Sequence, residues 1–342
     1  MEPAKETIQH PLLRIGITYN LKRHVASDIP DDEAEYDDDK TILAIKSALE
    51  ANNCRVELFE ATEELPLKLT SHKVDLVFNI AEGTKGRGRE AQVPAMLSFF
   101  RIPFTGSDET TLCIALDKAL TKRILTSYHI KTPKYKVIRK EMPILNGRFA
   151  YPALVKPNAE GSSKGISSLS IVLNSNELHQ LLSRNIGVYK QDMLVEEYID
   201  GREFTVAIIG NGKDIRVFSP MEIIYNNLKN QGNIYSYDVK KDFNKHIRYE
   251  CPAKISVDSQ TEIEGTAKKI YEILDCKDLA RIDFRLSSTG CLYFIEINPL
   301  PGLAPGYSDF PMIAEYNGMD YTSLIHNILC SALKRYELNA WL

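Results

Sequence analysis

Residues 279–302 read LARIDFRLSSTGCLYFIEINPLPG, and this stretch leaves the chain little choice of fold around it. Two runs of alternating residues flank a Ser-Ser-Thr-Gly turn, the pattern of a β-hairpin. Ile282, Phe284 and Leu286 share one face of the first run; Tyr293, Ile295 and Ile297 share one face of the second. A loop at 287–290 puts both apolar faces on the same side, against a core. The opposite side then collects Arg281, Asp283, Glu296 and Asn298. An arginine, two carboxylates and a carboxamide on one face are costly unless solvated or bound to something. Hard oxygen donors of this kind suit magnesium, which keeps waters and is completed by substrate phosphates. The arginine beside them steadies developing negative charge. The competing reading is a surface hairpin with a merely charged outer face. The rigid exit through Pro299, Leu300, Pro301 and Gly302 favours the first.

Composition narrows the function classes. At 342 residues with 44% hydrophobic content, the chain has room for two or three domains with real cores. A formal charge of −4 offers no basic field for nucleic acid or an anionic membrane. No apolar run approaches a membrane span, and the first residues, MEPAKETIQHPLLR, lack a signal peptide's apolar core. The six cysteines are scattered, without CxxC, as expected of reduced thiols in a cytoplasmic protein. The seven histidines show no paired ligand spacing, so zinc is not expected.

Along the chain, strand patterns at 14–20, 56–60, 74–80 and 102–105 alternate with helix patterns at 41–51 and 90–100. This is an open parallel α/β layer, whose ligands bind beyond the carboxyl ends of the strands. A boundary falls near 108–111. A helix at 112–127, strands at 134–138 and 153–156 and a helix at 176–183 follow. From residue 193 the pattern is strand-rich, with helices at 259–274 and 321–333. Residues 226–246 form the longest polar, turn-rich stretch and read as a mobile loop. The division is therefore 1–110, an N-terminal α/β domain; 111–192, a central unit; and 193–342, a C-terminal unit with the hairpin.

A second segment, VKPNAEGSSKGI at 155–166, places Lys156 at a strand end before a small-residue loop. Backbone N–H groups of such a loop can approach phosphate oxygens, and Lys156 can neutralise them. The GxxxxGK[ST] spacing is absent, so this is no Walker A loop; from composition alone an ordinary turn is the better reading. Glu196, Glu197 and Ile199, then Glu203 after Gly201, read either as charged hairpin rims or as a nucleotide edge.

Taken together, LDKALTK, LVKPNAEGSS, VEEYIDGREFTV, RIDF and EINPLPG occur in the order of the ATP-grasp ligases, and the chain resembles D-alanine–D-alanine ligases over nearly its whole length. VDLVFNI, IPFTGSD, YECPA and SDFPMIA extend the likeness. The resemblance implies a three-domain ATP-grasp fold, an α/β domain followed by central and C-terminal ATP-grasp subdomains that grip ATP. It implies that Lys118 and Lys156 hold ATP phosphates and that Glu196, Glu197, Ile199 and Glu203 line the adenosine pocket. Asp283, Glu296 and Asn298 would bind two magnesium ions, with manganese as a substitute. Arg281 and the N–H of Gly302 would stabilise the tetrahedral intermediate. Ser162 would sit by the substrates, Lys240 would reach the γ-phosphate from a closing loop, and Ser308 would contact the second substrate's carboxylate. The implied partners are small amino-acid substrates and, through the N-terminal region, a second copy of the chain.

Three departures fall where substrate is chosen. The family's Glu-x-x-Val-Ser segment is replaced by LKRHVASDIPDDEAEYDDDK. The tyrosine expected after the loop lysine is Lys241. The His-Gly…Gly-Glu-Asp-Gly turn becomes AEGTKGRGRE at 81–90, bringing Arg87 and Arg89, which could grip a carboxylate. The acidic run at 28–39 reads as a solvated loop capping the next helix, or as a source of a glutamate (Glu33 or Glu35) for a cationic amine. The expected activity is amide- or peptide-bond formation through an acylphosphate, with a different amino acid or a small amino-acid-like carboxylate in place of D-alanine. A D-alanine–D-alanine ligase and a catalytically silent ATP-binding regulator are the alternatives.

Overall fold

The computed structural model describes residues 12–23, 33–140, 150–161, 170–225 and 247–338. It is a mixed helix and sheet structure built on three sheets. The first is parallel, in the order β2-β1-β3: β1 (Leu13–Tyr19) lies between β2 (Cys54–Glu60) and β3 (Leu76–Asn79). Helices α1 (Asp39–Ala51) and α2 (Leu65–Ser71) make the crossovers. All four residues of β3 are buried, as its continuous apolar run requires of a strand covered on both faces. Asp38 caps α1, accepting the Thr41 N–H at 2.9 Å, so part of the acidic run does the capping its charge suggested. The strand expected at 102–105 is reduced to a single bridge between Phe104 and Val77. The helix expected at 90–100 begins with a 3-10 turn, Arg89–Ala91, and continues as α3 (Gln92–Phe99).

The helix expected at 112–127 is two helices, α4 (Glu109–Leu116) and α5 (Lys118–Ser127), broken at Asp117. The break is held from a distance. Asn158 donates to Asp117 Oδ1 at 2.8 Å, accepts the Ala119 N–H at 3.0 Å, and takes the Lys118 N–H on its carbonyl at 3.0 Å. Asp117 then caps α5 through the Leu120 N–H at 3.0 Å. The result aims Lys118 and Lys122 from the first turns of a fresh helix.

The second sheet is antiparallel, ordered β4-β7-β5-β6, from β4 (Tyr135–Ile138), β5 (Ala153–Pro157), β6 (Ile171–Val172) and β7 (Met193–Glu197), with α6 (Ser175–Tyr189) packed on it. The third contains β8 (Gly201–Ile209), β9 (Arg216–Val217), β10 (Met221–Tyr225), β11 (Ile247–Glu250), β12 (Leu279–Ser287) and β13 (Leu292–Asn298). Its order is β11-β10-β8-β12-β13, with β9 beside β8. Helix α7 (Val257–Ile273) covers one face of β8 and β12, its Ile263, Ala267 and Ile270 packing with Ile282, Phe284 and Phe294. Helices α8 (Asp309–Tyr316) and α9 (Tyr321–Arg335) join the other face to the parallel layer in one core. Among the described residues no helix is long and apolar enough to cross a membrane.

The hairpin forms as its alternation requires, with one correction. Arg281 pairs with Asn298 and Asp283 with Glu296, but Phe284 pairs with Phe294, leaving Ile295 as a bulge. The extra residue reverses the alternation beyond it. Phe294 and Leu292 therefore join Ile297 in the core, while Tyr293, expected on the apolar face, pairs with Arg285.

Asp278, just ahead of β12, locks this sheet to the parallel layer. Fully buried, it accepts from the Gly106 N–H at 2.8 Å, Asn211 at 2.7 Å and Arg335 at 2.7 Å. Removing it leaves the Arg335 cation without its buried partner. Asp278→Ala is expected to cost about 3–5 kcal/mol of unfolding free energy in urea titration; a loss under ~1 kcal/mol would show that the joint does not depend on it.

Candidate active site

At the centre of the site two lysines grip one buried carboxylate. Lys156 on β5 meets Glu196 Oε1 at 2.7 Å and Lys122 on α5 meets Oε2 at 3.1 Å. Lys122 and Lys156 are 0% and 1% exposed. Lys122 also donates at 3.1 Å to the carbonyl of Ile295, the bulge residue, and lies 5.6 Å from the Phe294 ring centroid. Burial pushes the Lys122 ammonium down to about 8, with Glu196 opposing. Burial also opposes ionisation of Glu196, but the two lysines win and hold its carboxyl below the usual range. Glu196, expected to face adenosine, thus spends its carboxylate on the lysines. Lys122 was missed, although it lies four residues after Lys118 and so on the same helix face.

Lys118 stands beside this group. Its Nζ donates to the Glu160 carbonyl and lies 3.6 Å from Glu296 Oε2. Burial disfavours the charge on Glu296, yet Lys118, Lys156 and Arg281 bring its carboxyl down to about 2. Arg281 forks onto Asp283 through Nε at 3.1 Å and Nη2 at 3.0 Å, and approaches Glu296 at 3.8 Å and Asp309 at 3.8 Å. Burial pushes Asp283 up to about 6 against the pull of Arg281. The hairpin's polar face is therefore folded inward, with Arg281 only 9% exposed. Asn298 holds the exit by accepting the Leu300 N–H at 3.0 Å. Beyond it the loop closes tightly: a Cβ on Gly302 would fall 2.8 Å from Ser308 Oγ, which accepts the Ala304 N–H at 3.2 Å.

On the far side, Glu203 accepts from Arg285 Nη2 at 2.6 Å and from the Tyr225 hydroxyl at 2.7 Å. Arg285 also donates to the Ile199 carbonyl at 2.9 Å and lies 5.1 Å from the Tyr198 ring. Arg285 was missed although it follows Arg281 and Asp283 at period two on the polar face of β12, because its partners Glu203, Ile199 and Tyr198 lie on distant segments. Glu197 ends β7, its N–H donating to the Lys134 carbonyl at 2.8 Å.

The substituted loops meet between the first two sheets. Arg87 is exposed and pairs with Asp117 at 2.9 Å. Arg89, 5% exposed, is committed internally: to Glu35 at 2.7 Å, to Glu160 at 3.2 Å and to the Ala159 carbonyl at 2.9 Å. The carboxylate it grips belongs to the protein. Glu35 also accepts the Gly161 N–H at 2.6 Å. One acid of the run at 28–39 is thus buried beside the site rather than solvated. Ser162, Lys240 and Lys241 lie outside the described residues.

Comparison with known proteins agrees with this architecture. Residues 124–330 match the family model for the D-ala D-ala ligase C-terminus. A D-alanine–D-alanine ligase of Aquifex aeolicus is 33% identical over 293 residues, covering 85% of this chain and 94% of that protein. The crystal structure of a Bacillus anthracis D-alanine–D-alanine ligase complexed with ATP superposes with a TM-score of 0.74 at 21% identity, over 96% of this chain and 99% of that one. The VanG D-Ala:D-Ser ligase of Enterococcus faecalis gives 0.71 at 19% identity, over 94% and 100%. The fold is that of the ATP-grasp proteins. Within it, the chain belongs to the D-alanine–D-alanine ligase family.

Glu90 gives a pH test of the acidic loop. Burial, then Glu35, push its carboxyl up to about 7 from the ordinary glutamate value of 4.5. The folded state therefore binds more protons than the unfolded one between these values, and stability falls as pH rises through that window. Glu90→Gln is expected to match the parent's Tm near pH 4.5 and to exceed it at pH 8. A parallel Tm–pH curve for the two proteins would contradict this.

Proposed function

We propose that this chain, an ATP-dependent, ADP-forming carbon–nitrogen ligase by family, joins the carboxylate of one amino-acid-type substrate to the amine of another and that its donor is not D-alanine. The observation that carries the reading is a line of two adjoining charge groups, Lys156 and Lys122 sharing Glu196 and, beside them, Lys118 and Arg281 flanking Glu296. Such a line is expensive to bury, and it is suited to a polyphosphate at one place and a developing oxyanion at another. Each group has a task. Lys118 and Lys156 neutralise ATP phosphates, and Glu203, held by Arg285, faces the nucleoside with Glu197 and Ile199. The donor's carboxylate oxygen attacks the γ-phosphorus and ADP leaves. The amine nitrogen then attacks the acyl carbon, phosphate departs with the C–O electron pair, and the amine's proton passes to solvent. Arg281 and the Gly302 N–H meet the negative charge on the carbonyl oxygen.

Asp283, Glu296 and Asn298 form a hard-oxygen set that fits magnesium, with Asp283 directly opposite Glu296 and Asn298 opposite Arg281 across the hairpin. Bound there, magnesium would screen the phosphate charge during transfer. Ser162 would sit beside the substrates and Lys240 would reach the γ-phosphate from the 226–246 loop, with Ser308 toward the acceptor's carboxylate. In domain terms, 1–110 would supply the donor side, and ATP would lie between 111–192 and 193–342.

The replaced loop at 81–90 and the commitment of Arg89 to Glu35 support a donor other than D-alanine. D-alanine dimerisation remains the second reading because of the Aquifex aeolicus relative. Phosphate release over a panel of amino-acid pairs tests both: release with D-alanine alone would overturn the altered donor, and none with any pair would overturn the ligase. Glu296→Gln and Arg281→Met are each expected to lower kcat by at least about 10²-fold, and unchanged turnover in either would remove that residue from its role.

A further inference from the structure

Beside Lys118 lies a small cavity of about 30 Å³ whose wall is unusually acidic: Glu35, Glu82, Glu90 and Glu160 line it together with Glu296 and Asn298. Carboxylate oxygens of Glu35, Glu82 and Glu90 come within 4.8 Å of one another. Against these glutamates stand Arg89, bound to Glu35 and Glu160, and Lys118, which is shared with Glu296. The balance stays negative after both cations are counted. Glu90 is a second and separate pointer. Its side chain is 6% exposed, lines the cavity, and accepts no hydrogen bond from any described residue. A carboxylate so placed is costly without a donor.

We infer that the carboxylate donor is a basic amino acid, whose side-chain cation sits against Glu82 and Glu90. This rests on the ligase reading above. The cavity touches Lys118, Glu296 and Asn298, so a donor with its carboxylate at the phosphate end places its other groups among the glutamates. Glu35 already accepts from Arg89 and from Gly161. One ammonium, the donor's α-amine, still leaves Glu82 and Glu90 without full compensation. A terminal ammonium brings three N–H donors to these carboxylates. A bare divalent ion fits less well, because Arg89 sits 2.7 Å from Glu35 and Lys118 shares the wall. Burial holds Glu82 and Glu90 in raised states in which protons stand in for the cation.

The test uses the full chain with ATP, magnesium and hydroxylamine, which converts whichever amino acid is activated at its carboxyl into a hydroxamate. Lysine and norleucine, in both stereochemical forms, differ at the side-chain terminus by the ammonium. The expected result is a kcat/KM for lysine at least ~10-fold above norleucine, with the ratio falling toward one in Glu90→Gln and in Glu82→Gln. Equal use of the two, or a preference for norleucine, would overturn the basic donor while leaving the ligase intact. So would a Tm increase with calcium or manganese alone that depends on Glu90 and is not matched by lysine. Hydroxamate from no amino acid at all would overturn the ligase reading itself.

Discussion

The structure depends on one buried carboxylate shared between two lysines. Glu196 belongs to the second sheet, Lys122 to the helix that enters it, and Lys156 to the strand beside it; Lys122 then reaches the bulge carbonyl of Ile295 in the third sheet. Ionic groups this deep cost several kcal/mol each to desolvate, so the arrangement persists only because each charge has an opposite neighbour. Removing one member would strand the others. The same contacts that tie the two sheets together place Lys118, Lys156 and Glu296 around one space.

The site divides by how its charges are balanced. Where the second and third sheets meet, cations and carboxylates alternate: Lys156, Glu196, Lys122, Glu296 and Arg281 each meet an opposite charge. Around the small cavity lined by Glu35, Glu82, Glu90 and Glu160, acids outnumber bases among the described residues, with Arg89 spread over two glutamates. The first arrangement is stable by itself and suits a reaction common to the family. The second is incomplete without a cation, which fits a part of the molecule that chooses its substrate.

Much of this was legible in the sequence because it is written in short range. Period-two alternation exposed the hairpin and its inward polar face, and motif order exposed the family. What stayed hidden depends on distant partners. Ile295 is apolar on either face, so nothing local announces the bulge that turns Tyr293 outward and Phe294 inward. Asp117 is tolerable within a helix; it breaks this one because Asn158, 41 positions on, grips it. Glu35 sits in a run that reads as solvated, and its burial follows from Arg89 at a separation of 54 and from Gly161 at 126. Lys122 is the exception, since its spacing from Lys118 was open to view.

The central claim is that these charges serve carboxyl activation by phosphoryl transfer. Labelling the donor amino acid's carboxylate with ¹⁸O tests it most directly, because the attacking oxygen stays on phosphorus when the acyl C–O bond breaks. The account expects inorganic phosphate carrying one ¹⁸O atom per amide formed. Amide formation with unlabelled phosphate would contradict it.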